Sequence, residues 1–190
     1  MKHLIVLLAA AISGAAETPE TPEAIERELD ATARVASVMV DGDVCARIVT
    51  KRALDSILDT NPRDKWMASD NYDVNHEPFI QTKKILARLA RLVSLPADVN
   101  LWMPIPGQPG RVQIVIRGVN ELSQFWPWGA LHQELPAAMK KVLASGQRLA
   151  AKEKPGFISV LAPVTNSLGD VVGLVEVVAR LKPNAHENVK

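Results

Sequence analysis

The sequence predicts an α+β domain in which a long N-terminal helix and further covering helices pack on an antiparallel sheet. Three observations carry this. Before Pro96, apolar residues recur at three- and four-residue spacing. After Pro96 the period drops to two. The chain then closes on two apolar runs joined by a turn-forming stretch at 166–170.

The elements follow in order. From Glu23 to about Leu58 the pattern is helical. Ile25, Leu29, Ala33, Ala36 and Val40 lie on one stripe, and Gly42 interrupts before a second segment through Val44, Ile48, Leu54, Ile57 and Leu58. Acidic residues crowd the start, where they complement the helix dipole. Asn61-Pro62 stops the helix, and 67–79 reads as polar and irregular. A second amphipathic helix covers 80–95, with Ile80, Ile85, Leu89 and Leu92 on its apolar side. Lys83, Lys84, Arg88 and Arg91 ring the other side.

Two strands around a Pro/Gly turn follow, through Leu101, Met103 and Ile105 and then Val112, Ile114 and Ile116. Alternation sets Arg117 on one strand face with Arg111 and Gln113, opposite Val112, Ile114 and Ile116. An aromatic-rich loop spans 119–134. A compact helix then ends at Gly146, a residue suited to the C′ position. A linker leads to the closing hairpin, whose Gly169 is expected to take positive φ.

The termini and composition narrow the function. Residues 1–16 have the build of a secretory signal peptide: Lys2, an apolar run from Leu4 to Ile12, then small residues before a cleavage point after Ala15 or Ala16. That run is too short to span a bilayer. Residues 17–22 form a spacer, 23–181 the domain and 182–190 a tail. The expected product is soluble and periplasmic or secreted, with no membrane span once the signal is cleaved. A net charge of +1 supplies no global field for nucleic acid, so no nucleic-acid partner is expected. Cys45 is the single cysteine, which excludes an internal disulfide and suits a small buried hydrophobe.

The closing hairpin carries the most specific signal. Pro163, the 166–170 turn and Val171-Val172-Gly173 resemble the end of PAS-like Cache domains, the extracytoplasmic ligand-binding modules of bacterial receptors. The resemblance implies a PAS-like antiparallel sheet, a long helix ahead of it, and a ligand between the sheet and a covering loop. It also implies a sensor role without chemical turnover. Cache domains usually sit between two membrane spans, and no second span is present in this sequence. Amino-acid-binding members place an Asp on the last strand. Here that strand reads Val175-Glu176-Val177-Val178, which turns the ligand expectation away from amines.

The candidate ligand-binding residues are Trp126, Trp128, Arg117, Trp102 and Tyr72. Trp126 and Trp128 flank Pro127 and suit a stiff aromatic lid, with Tyr72 and Trp102 as further walls. Arg117 suits the anionic end of an organic acid, because a guanidinium fork matches a carboxylate. Each tryptophan also reads as a core filler above the sheet, and Glu176, set between apolar neighbours, needs a partner, for which Arg117 is a candidate. No catalytic residues, metal site or cofactor are expected. Metal spacings, a nucleophile elbow and phosphate loops are all missing, and His76 and His132 stand apart beside acidic residues. The expected partner is a small-molecule ligand. The alternative is a protein-interaction module, a homodimer or a membrane-receptor partner, acting through the N-terminal helix.

Overall fold

The computed structural model describes residues 21–58, 73–127, 130 and 132–181. Residues 1–16, expected to be a signal peptide, most of the expected spacer, Tyr72, Trp128 and residues 182–190 lie outside the described residues.

Helix α1 (Pro22–Met39) opens on Thr21, whose Oγ1 accepts from the Ala24 amide at 3.2 Å. Pro22 at the first helical position leaves no donor to satisfy. Ile25, Leu29, Thr32, Ala33 and Ala36 form its buried stripe. The single interrupted helix expected from Glu23 to Leu58 is in fact three. After Val40 turns extended, Asp41 caps a four-residue helix α2 (Gly42–Cys45), and α3 (Lys51–Leu58) starts only after an extended pair at Val49 and Thr50. The break follows from packing. The Asn75 amide donates to the Ile48 carbonyl at 2.8 Å, and Val49 bridges to Val74, so this stretch pairs across the fold instead of within a helix.

Helix α4 (His76–Ala90) starts earlier than expected and is rotated from the expected face. Thr82, Leu86 and Leu89 are buried, whereas Ile80 and Leu92 are exposed. Period alone allowed a stripe offset by part of a turn, and the sheet selected the other.

Six strands make one sheet in the order β3-β2-β1-β6-β5-β4, every neighbouring pair antiparallel. They are β1 (Ala97–Pro104), β2 (Arg111–Ile116), β3 (His132–Glu134), β4 (Leu149–Ala151), β5 (Phe157–Thr165) and β6 (Val171–Arg180). The short edge strands β3 and β4 fall where a loop and a linker were expected. The long β5–β6 hairpin turns on Asn166, whose Oδ1 accepts from the Leu168 and Asp170 amides, and Gly169 has φ of 85°.

Each face of the sheet is covered. On one, α1 lies over β5 and β6, and α4 lies over β1, burying Leu29, Ala33, Val99, Leu101, Val160 and Val177. On the other, α5 (Ala137–Ser145) packs with the loop that follows β2, around Trp102, Ile114, Phe125, Met139, Leu161 and Leu174. Gly146 caps α5 at φ 64°. With both faces covered, the central strands are buried on each side, which explains their nearly unbroken apolar runs. Cys45 sits in the first core, and burial pushes its thiol up to about 12.

Candidate functional site

The site begins at an irregularity in β2. Trp102 pairs with Ile114, but Leu101 pairs with Ile116, so a bulge at Val115 adds one residue to β2. The bulge flips every side chain after it. Ile116 joins Val115 in the core beneath α1 and α4, rather than standing with Val112 and Ile114. Arg117 therefore leaves the face of Arg111 and Gln113 and reaches Trp126, its guanidinium 4.5 Å from the ring centroid. Simple alternation placed it on the wrong face, because a bulge leaves no mark in a run of β-branched residues.

Arg117 is also not the partner of Glu176. Its Nη1 donates to Glu121 Oε1 at 3.1 Å, and its side chain is 10% exposed. Glu176 is completely buried and takes five neutral donors instead. Its Oε2 accepts from Asn100 Nδ2 (3.2 Å), Trp102 Nε1 (3.1 Å) and Ser123 Oγ (2.7 Å). Its Oε1 accepts from the Gln124 amide (2.9 Å) and Ser159 Oγ (3.0 Å). Burial pushes this carboxyl above its ordinary value, against the opposing pull of the bonds from Ser123, Gln124, Trp102 and Asn100.

A second buried carboxylate works in parallel. Asp98 accepts from the Asn120 amide and side chain and from the Leu122 amide. Asn100, between the two acids in β1, receives the Gly118 amide and donates to the Leu122 carbonyl. Gln124 fastens the far end through Ala151, Glu153 and Lys154. The 118–124 segment is thus a strap laid over the sheet, its polar groups met by acids and amides that no local motif announces.

The strap positions Trp126. Ser123 Oγ, while donating to Glu176, accepts from the Phe125 and Trp126 amides at 3.1 and 3.0 Å. Trp126 Nε1 donates to the Ala130 carbonyl. Trp102 is buried in the core on this face, with Trp126 packed against the same cluster. Arg117, Trp126 and Trp102 therefore occur together, and of these Arg117 also borders a neighbouring space, although its guanidinium is turned to Trp126 and Glu121, which do not line it.

That space is a recess of about 300 Å³ between α4, the start of β1 and the chain leaving β2. Leu86, Ala90, Leu95, Ala97, Val99 and Ile116 form its apolar lining. Lys83, Arg91 and Arg117 are the cationic residues around it. Asp98 lines it too, but with its oxygens already engaged by the strap. In the sequence Lys83 and Arg91 stand only as part of a polar helix side. Among the described residues, no group of three or more His, Cys, Asp or Glu side chains could hold a metal ion. His132 lies in β3, its Nδ1 2.6 Å from Arg111 Nη2.

No protein-family model and no curated protein matches this chain. Among solved structures, it is similar to the inducer-binding domain of the PobR transcription factor from Acinetobacter, a double mutant complexed with 3-hydroxybenzoic acid. The two are 12% identical over 57% of this chain and 83% of that one, with a TM-score of 0.37. A GAF domain from A. aeolicus in an inactive state is 11% identical over 70% and 80%, at 0.38. An IclR transcriptional regulator from Alicyclobacillus acidocaldarius is 11% identical over 85% and 90%, at 0.37. Overlap this low transfers no ligand or partner to this chain.

Proposed function

We propose that this chain is an exported, single PAS-like domain of the Cache type that binds a small organic acid without transforming it. The observation that carries the reading is the recess beside Arg117: an apolar floor with three cations around it. Its volume is at the lower end of small-molecule sites, about 300 Å³ upward, which favours a compact ligand. The apolar body of the acid lies against Leu86, Val99 and Ile116, and its carboxylate meets Arg117, with Lys83 and Arg91 drawing it in.

The same arrangement suggests how occupancy is transmitted. Arg117 joins the recess to Trp126, and Trp126 hangs from Ser123 and Glu176. A carboxylate that engages Arg117 competes with Glu121 and shifts the lid. A partner protein would read that shift.

Thermal-shift measurements with a panel of small aliphatic and aromatic acids test the reading. At least one acid should raise the melting temperature of the wild type in a saturable way. The shift should vanish in Ala87→Trp, which fills the recess from an exposed position on α4, and weaken in Arg117→Met. A panel with no stabilising acid, or one whose effect survives both substitutions, would count against it.

A further inference from the structure

The outward stripes of α1 and α4 differ from ordinary solvated helix faces. On α1, Arg27, Ala31, Arg34, Val35 and Val38 are exposed, directly opposite the buried stripe. On α4, Ile80, Lys84 and Arg88 are exposed, again opposite the buried side chains, with Ala87 and the C-cap residue Arg91 exposed at the rim of the recess. Val38 is 81% exposed, Leu92 56%, Met39 53% and Ile80 41%. Apart from these helices and the turn after α4, the exposed large hydrophobics of the described residues are Val119 and Leu168.

Charge is segregated in the same place. Among the described residues, Arg27, Arg34, Lys84, Arg88 and Arg91 enter no ion pair. The acids of α1 are turned aside and engaged. Glu26 pairs with Lys152, Asp30 pairs with Arg148, and Glu28 holds Ser94. Glu23 and Glu77 remain, each in the first turn of its helix. A chain of net charge +1 thus concentrates unbalanced cations on one layer.

We propose that this α1–α4 face docks on an anionic lipid bilayer surface. The two helices cover the same sheet face and touch each other, so their outward stripes lie side by side. Valine, methionine, isoleucine and leucine side chains enter the headgroup boundary, while arginine and lysine heads pair with lipid phosphates. A second copy of this chain is a poor occupant, because a symmetric pairing sets these cations against themselves.

Vesicle flotation of the full chain tests this. Binding is expected to vesicles of equal parts phosphatidylglycerol and phosphatidylcholine, weakening as salt rises, with little to phosphatidylcholine alone. Each basic residue near such a surface is worth about fivefold, so Arg34→Ala with Arg88→Ala should lower affinity about 25-fold. Val38→Asp should lower it as well, and all three positions are exposed, so folding is checked by circular dichroism and is expected unchanged. Failure to bind, equal binding to neutral vesicles, or full binding by the double variant would overturn the proposal, the last by placing the affinity on residues 1–16. Binding to an acidic polypeptide without binding to vesicles, or self-association abolished by Val38→Asp in sedimentation velocity, would equally overturn it.

Discussion

Glu176 bears more structural responsibility than any other side chain described here. Five donors converge on a carboxyl with no cation beside it, and they tie β1, β5, β6 and the strap together. Leucine at this position would leave those donors buried and unpaired. Glu176→Leu should cost about 3–5 kcal/mol in urea unfolding. The raised carboxyl also sets a pH dependence. The native state keeps its proton to higher pH than the unfolded chain does. This group's contribution is therefore complete below the ordinary carboxyl range and is lost as pH climbs through the raised value. Glu176→Gln, which never ionises, should show its largest deficit near about pH 4 and a smaller one near about pH 7. A deficit that grows with pH would mean that Glu176 is held as a carboxylate. The sequence showed that an acid between valines needs partners. It did not show which, because all five donors come from residues 17 to 76 positions away in the chain.

At the scale of elements, the strap is the part that sequence reading described least. Residues 119–134 read in sequence as an aromatic loop. Its anchorage is polar: Asp98, Asn100 and Glu176 project from strands that look apolar when read in sequence, and the bulge at Val115 decides which way Arg117 points. Gly118 is where the strap leaves the sheet, and a Cβ there would run into the Asp98 carboxylate. That carboxylate is fixed by three hydrogen bonds and has no room to yield. Gly118→Ala should therefore cost about 1–3 kcal/mol by overpacking. It should also disturb the stacking of Arg117 on Trp126, readable as altered tryptophan fluorescence. A variant with wild-type stability would mean that the strap is looser than described. Local turn chemistry fared better, with Gly146 and Gly169 both at positive φ as their neighbours required.

For the whole molecule, the change of apolar period at Pro96 was enough to separate helical and strand halves, and the antiparallel α+β class follows from it. The broken N-terminal helix and the rotated α4 were not legible, because both are set by what packs across the sheet and not by local spacing. The recess is a product of that rotation. With Ile80 and Leu92 turned out, Lys83, Leu86, Ala90 and Arg91 line the gap above Ile116 and Arg117. The central claim is that this gap holds an organic acid. Amide chemical-shift mapping during titration with the best-stabilising acid tests it most directly. The account predicts saturable shifts confined to α4, residues 95–99 and residues 116–120, with a smaller echo at Trp126. Shifts absent from those segments, or centred on α5 and the outer turns, would contradict it.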